Sequence, residues 1–564
     1  MDQMIFNPLE DYEKRLKDAH AANAENFWQE LVARSGVSPE ENRVAVEKYN
    51  AQQKIADEAN KKAGLFKALR VLAIIGMVVA VIAAVAMFAN SMVLPGILLV
   101  LTGVGLLLLW LLVLNPRIKN LDQLHAQEQE KADALLNICW QQMAPLNALF
   151  GSWDGITLLE KTIPKFDFLP SFSQEQEKDM RENFNFSDYD NDEHSIVDTL
   201  SGRYNGNPFL FERRRVHQMG TETYHGYKTI HWTEWYTDSK GKRRTRTRSQ
   251  TLHATVTKPK PFYHLETYLH YGAQAGPDLS FSRLNKHLED KSERAIDAMV
   301  RRGERKLRKK AEEALESNQN FMGMTNTEFD VLFDALDRDH EVQFRLLFTP
   351  LAQTNMVDLL RSETGYGDDF DFFKRLRMNT IVSEHSQNRS FLIEPKNLHS
   401  HDFEVIKANF TRGHAEYFKA VYFDFAPLLA VPVYQERPVH SLDPLPDYSQ
   451  KYSTWEYEAL ANAIGYDHLA HPNSKTPAIL KASYTGQNKA ADLVRITAYS
   501  YDSLPRLDVV PMLGGDGRMH GVPVHWQEYI PLEASQQMQV SPTDPGAGGI
   551  AGIHTHGLYA RILK

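Results

Sequence analysis

Residues 71–116 contain no charged side chain, and Asn90-Ser91 divides them into VLAIIGMVVAVIAAVAMFA and MVLPGILLVLTGVGLLLLWLLVL. Neither half carries the polar stripe that a helix packed into a soluble core keeps toward water. At 1.5 Å rise per residue, about 19 residues cover nearly 30 Å, the hydrocarbon thickness of a bilayer. The pattern therefore predicts a two-helix transmembrane hairpin within residues 64–116, with spans at about 71–89 and 92–114, its turn supplied by Asn90-Ser91 and Pro95-Gly96. About 70 residues precede the first span, which argues against a cleaved signal peptide. Lys54, Lys61, Lys62, Lys67 and Arg70 lie before the first span, Arg117 and Lys119 after the second, and no lysine or arginine lies between. That bias predicts a multi-pass membrane protein with both termini cytoplasmic. Gly76, Ala80 and Ala84 give the first span a small-residue face, able to seat the second span or, in a homo-oligomer, a second copy of the chain.

The remaining pattern is mixed. Residues 1–63 read as a cytoplasmic helical segment, with helices at 9–34 and 39–62, the second capped by Ser38 and started by Pro39. Residues 117–150 read as a stalk helix. Residues 151–282 are β-rich, and alternation of Ile230, Trp232 and Tyr236, a polar turn at 238–241, and alternation of Leu252, Ala254 and Val256 predict a long β-hairpin over 227–258. Residues 283–320 form a charged amphipathic helix, 321–440 an α+β domain, and 441–564 a mixed region that ends rich in glycine. The expected fold class is α+β, a transmembrane hairpin carrying a large cytoplasmic region.

Composition narrows the chemistry. A net charge of −9 argues against nucleic acid as a partner of the whole molecule, and the single cysteine, Cys139, rules out internal disulfides and cysteine-cluster metal sites. Lys240, Lys242, Arg243, Arg244, Arg246 and Arg248 fall within nine positions on the return arm of the hairpin. If partner numbers sum to about 480, Arg244 meets Tyr236, Arg246 meets Glu234 and Arg248 meets Trp232, a ladder of ion pairs and cation–π contacts. A solvated hairpin end is the plain reading. The functional one is contact with anionic lipid headgroups or with an acidic protein partner. A second basic cluster, 301–310, is interspersed with Glu304, Glu312, Glu313 and Glu316 and reads as a solvated helix face. His520, His525, His554 and His556 gather late in the chain and are the residues from which a metal site would be built, although a third ligand and an outer shell are not apparent. Gly546–Ala551 fits a dinucleotide fingerprint only loosely, and the acidic run 187–193 lacks the glycine and terminal glutamate of a calcium loop. The chain contains no phosphate-loop, nucleophile-elbow or HExxH motif, and nothing in it demands a cofactor.

Residues 326–361 and 388–395 resemble part of a family of bacterial membrane proteins with a paired-helix anchor, through Phe329-Asp330, Phe333, Asp337 and Phe348-Thr349-Pro350. The resemblance implies a bacterial inner membrane and a cytoplasmic α+β domain, and carries over no catalytic residue. The expectation is a membrane-anchored binding or scaffold module. Its alternative is a membrane-tethered hydrolase with a dispersed site of His520, His525, His554 or His556 and nearby carboxylates.

Overall fold

The computed structural model describes residues 4–90, 92–187, 193–237, 239–316, 323–335, 337–438, 452–488, 491–542, 552–555 and 558–563. It is mixed α+β, with two long apolar helices and antiparallel sheets, and divides into a helical unit (His20–Gly155 and Leu392–Tyr417) and a sheet unit (Met1–Ala19, Ile156–Phe391 and Phe418–Lys564). The glycine-rich stretch Gly546–Ala551 and most of the acidic run at 187–193 lie outside the described residues.

In the helical unit, α1 (Lys17–Ser35) leads into α2 (Pro39–Ala89), a single helix of 51 residues. Ser38 accepts a hydrogen bond from the Glu41 amide, and Pro39 occupies the first turn, where a missing N–H costs nothing. The polar helix expected at 39–62 thus runs unbroken into the apolar one, since no residue at the junction stops helix growth. α3 (Val93–Asn147) likewise joins the apolar helix to the expected stalk. The two run antiparallel. Outside the apolar stretch they are knitted by polar pairs, with His125 Nδ1 3.1 Å from the Ala56 carbonyl and Lys67 2.8 Å from Asp122. Within it the contact is small-against-large: Ala73, Ala80 and Ala84 are buried, and Gly76 faces Leu106. The small-residue face is therefore used inside the chain. Most of the large apolar side chains on both helices are exposed, as at Ile82, Val85, Leu94, Leu98 and Leu112.

The sheet unit is built on two antiparallel sheets. β1 (Phe166–Leu169), β2 (His194–Tyr204), β3 (Asn207–Thr237), β4 (Arg243–Gly272), β5 (Ser280–Arg283), β6 (Phe370–Arg375) and β7 (Met378–Ser383) form one, in the order β1-β2-β3-β4-β7-β6-β5. β8 (Ile479–Asn488), β9 (Ala491–Leu513), β10 (Met519–Ser541), β11 (Gly552–Thr555) and β12 (Leu558–Ile562) form the other, in the order β11-β12-β10-β9-β8. The charged helix α4 is shorter than the sequence suggests (Glu293–Glu316), and α5 (Thr454–Ile464) covers the second sheet through Tyr457, Leu460 and Ala461.

Each sheet throws out one long hairpin, and the two lie face to face. The first is longer than the expected 227–258: β3 and β4 pair from Phe209↔Tyr271 to Thr237↔Arg243. Its base was hidden by Arg213-Arg214-Arg215, which break the alternation yet sit in the sheet, Arg213 over the Phe391 ring and Arg215 over Tyr466. The second, β9 with β10, was missed in the 441–564 reading because Pro505, Pro511, Pro523 and Pro531 punctuate it. Proline forfeits one donor, which a two-stranded ribbon tolerates on its outward edge. Ile230, Leu252, Ala254, Val522 and Val524 form a dry core between the hairpins, each large aliphatic side chain contributing on the order of 2 kcal/mol by burial. Lys258 binds Asp508 at 2.8 Å and lies 4.2 Å from the centre of the Trp526 ring.

Gly226 makes that approach possible. A Cβ there would stand 2.2 Å from the Pro523 carbonyl oxygen and 2.8 Å from Val524 Cγ2. Gly226→Val is expected to cost about 1–3 kcal/mol and to pry the hairpins apart. Hydrogen exchange should speed up in the facing stretches of both hairpins; unchanged protection would show that the packing does not depend on this contact.

Candidate functional site

The paired hairpins carry the basic cluster at their free end. The last contacts of the second hairpin run from Gly514 and Gly515 to Ile230, Trp232 and Gln250, including a 2.7 Å hydrogen bond from the Gly515 amide to Gln250 Oε1. Residues 233–237 and 239–247 of the first hairpin lie distal to these contacts in the ladder, and most of them are exposed. There the register is Tyr236↔Arg244, Glu234↔Arg246 and Trp232↔Arg248, so these side chains share one face. Glu234 Oε2 accepts from Arg246 at 3.1 Å and from Arg248 at 3.1 Å, and its Oε1 accepts from Trp232 Nε1 at 3.3 Å. The cation–π contact is diagonal: Arg246, not the directly opposed Arg244, lies over the Tyr236 ring, at 5.5 Å. In sequence, residues 232–248 carry six cations, Lys240, Lys242, Arg243, Arg244, Arg246 and Arg248, against two carboxylates, Glu234 and Asp238, so the stretch is strongly positive.

The tip is also apolar where water would favour polar groups. Trp235, on the face opposite Arg244, Arg246 and Arg248, is 72% exposed, and Leu513 and Met519, paired at the end of the second hairpin, are 64% and 62% exposed. Val509 and Leu507 extend that stripe down β9. The arginine spacing announced the cationic part; the apolar part was invisible without the second hairpin.

Of the four late histidines, His520 and His525 have described side chains. His520 pairs across the ladder with Met512 and has both carboxylate oxygens of Asp516 3.0 Å from its Nε2. His525 pairs with Leu507, and the odd separation from His520 puts the two rings on opposite faces of β10, where they cannot share an ion. The side chain of His554, and all of His556, lie outside the described residues. Among described residues, the His/carboxylate group whose ligand atoms come within 4.8 Å of one another is instead His287, Glu289 and Glu384, at the solvent surface.

Two buried polar networks lie elsewhere in the sheet unit. In one, Glu212 is fully buried and accepts from His270 Nε2 (2.9 Å), from Trp455 Nε1 (2.9 Å) and from Arg214, while His270 Nδ1 lies 3.0 Å from Thr380 Oγ1. Burial alone would raise the Glu212 carboxyl, but Arg214 and His270 outweigh it and hold it well below the usual carboxylate range. In the other, His385 lies between two carboxylates, Nδ1 2.5 Å from Asp369 and Nε2 3.2 Å from Asp424, its ring stacked 3.8 Å from Tyr366. Burial lowers its pKa, yet Asp424 and Asp369 push it up to about 10, so the ring is an imidazolium at neutral pH. Asp424 also binds Arg389 and accepts from Ser386 at 2.6 Å. Sequence reasoning missed both networks, because their members are dispersed along the chain and meet only across strands.

Comparison of the chain with protein-family profiles, with curated proteins and with solved structures finds no match, so the function is argued from the residues alone.

Proposed function

We propose that the protein is a membrane-anchored binding module whose paired hairpins dock on an anionic lipid surface. The anchor in this reading is the apolar part of α2 and α3, a two-pass hairpin with both flanks on the cytoplasmic side, an orientation that the lysine and arginine bias supports. Its support is the exposed girdle of Ile82, Val85, Leu94, Leu98 and Leu112, which water would penalise and lipid accepts.

The observation that carries the docking reading is the composition of the arm's tip. Its arginines and lysines come with an exposed Tyr236 on the face of Arg244, Arg246 and Arg248, an exposed Trp235 on the other face, and exposed Leu513 and Met519 at the end of the second hairpin. Cations draw a surface to anionic headgroups, and tryptophan, tyrosine and aliphatic side chains are the groups that partition into the headgroup boundary. An acidic protein would satisfy the cations but leave the aliphatic pair at the end of the second hairpin without a role, so lipid is the favoured partner.

The test uses full-length protein embedded in neutral-lipid nanodiscs and two sets of vesicles, pure phosphatidylcholine and phosphatidylcholine with 30% phosphatidylglycerol. Co-flotation with the anionic vesicles alone, weakening as salt rises, is the expected result. Equal flotation with both, or with neither, would remove the reading.

A further inference from the structure

A cavity of about 440 Å³ opens on one face of the larger sheet, within the usual range for small-molecule sites. His270 and Thr380 lie side by side on its floor, as directly paired residues of β4 and β7, and Arg214, Tyr268, Phe373 and Arg375 join its lining. The contacts around His270 fix how its protons lie. Glu212 is ionised and can only accept, so the Nε2 that meets it must carry a proton. In the neutral ring this leaves the lone pair on Nδ1, 3.0 Å from Thr380 Oγ1, and the threonine must be the donor. A hydroxyl, an imidazole and a carboxylate thus stand in relay order, with the carboxylate itself pinned by Trp455 and Arg214. Thr380 is half-buried and lines the cavity, whereas Glu212 is fully sealed from it, as a nucleophile and an orienting group require.

We propose that this cavity is an esterase site in which Thr380 is the nucleophile, His270 the general base and Glu212 the positioning residue, acting on small carboxylic esters. Thr380 Oγ forms a bond to the ester carbonyl carbon as its proton passes to His270 Nδ1. The bond to the alcohol oxygen then breaks, that oxygen leaving with the electron pair and taking the proton from His270. Water closes the cycle: its oxygen attacks the acyl carbon, its proton goes to Nδ1, and the acyl–threonine bond breaks as Thr380 recovers that proton. Arg375 joins the cavity lining, while Arg214, also on it, is ion-paired to Glu212. The site shares no residue with the arm, so the lipid reading and this one stand or fall separately.

The sequence gives no motif for it, because positions 212, 270 and 380 are brought together by strand pairing alone. The test is covalent labelling of detergent-solubilised full-length protein with a fluorophosphonate, where Thr380 Oγ displaces fluoride, read by peptide mass, together with hydrolysis of p-nitrophenyl acetate. Labelling at Thr380 is expected in the native chain, lost in Thr380→Val and kept in Thr380→Ser, with ester hydrolysis reduced on the order of 10²-fold or more in the valine variant. The serine variant separates loss of the nucleophile from loss of the fold. Glu212→Gln should keep Thr380 in place but shift the pH profile of hydrolysis. No label on the native protein, a label that persists in Thr380→Val, or hydrolysis that the valine leaves unchanged would overturn the proposal.

Discussion

Replacing Arg244, Arg246 and Arg248 together by glutamate is expected to weaken binding to anionic vesicles by a factor of a hundred or more while leaving the anchor in place. Each cation near an anionic surface contributes about 1 kcal/mol, and each reversal both removes that attraction and adds a repulsion of similar size. Three reversals therefore amount to roughly 3–6 kcal/mol, against 1.4 kcal/mol for each tenfold. Arg246 and Arg248 also hold Glu234, so the glutamates would crowd that carboxylate and loosen the tip. The matching variant with three lysines keeps the charge, removes the forked geometry, and should bind vesicles nearly as the native chain does. Equal loss in both variants would assign the arginines to holding the hairpin together; no loss in either would take lipid away from the tip.

The second large effect concerns pH, and it arises from two buried cation sites of opposite sense. His385 is raised from 6.5 to about 10, so the folded chain holds a proton that the unfolded chain gives up between those values. Its stabilisation is complete below about pH 6.5 and is lost as pH rises toward 10. Lys374 is the reverse: burial pulls its ammonium down to about 7 from 10.5, with the Ala275 carbonyl 2.9 Å from Nζ. Here the unfolded chain holds the extra proton, so stability rises with pH across the window from 7 to 10.5. In the native chain the two slopes oppose each other over most of the alkaline range. His385→Asn should unmask the rising slope and Lys374→Met the falling one, each about 1.4 kcal/mol per pH unit. At neutral pH His385→Asn should also cost about 3–5 kcal/mol, since Asp369 loses its partner while Asp424 keeps Arg389. Thermal unfolding from pH 7 to 10 in one detergent reads all of this. Two parallel curves would show that neither group carries the shift assigned to it.

How much of this could be read along the chain follows from how local each signal is. The apolar run at 71–116 is contiguous, so the presence of two apolar helices was plain, though not that each continues into its polar neighbour as one long helix, and the Tyr236↔Arg244 register was plain too. The base of the same hairpin was not, because Arg213 and Arg215 meet partners from other segments, Arg213 at Thr267, the Ser386 carbonyl and the Phe391 ring, and Arg215 at Asn462 and the Tyr466 ring. The second hairpin was lost to its prolines, each tolerable only in a ribbon with a free edge, a fact of topology rather than of sequence. Of the late histidines, His520 and His525 are close in number yet lie on opposite faces of β10, and the side chains of His554 and His556 lie outside the described residues. Glu212, His270 and Thr380 gave no signal, since no spacing rule connects residues that meet across three strands.

The most direct test of the central claim is the environment of the arm's tip when vesicles are added. Ser239→Cys, in a Cys139→Ala background, places one environment-sensitive NBD fluorophore at the turn of the first hairpin, Cys139 being the chain's single cysteine. With full-length protein in neutral nanodiscs, emission should shift to the blue and strengthen on adding vesicles containing phosphatidylglycerol, and should stay unchanged with phosphatidylcholine alone. An NBD signal that remains that of water with both would contradict the account.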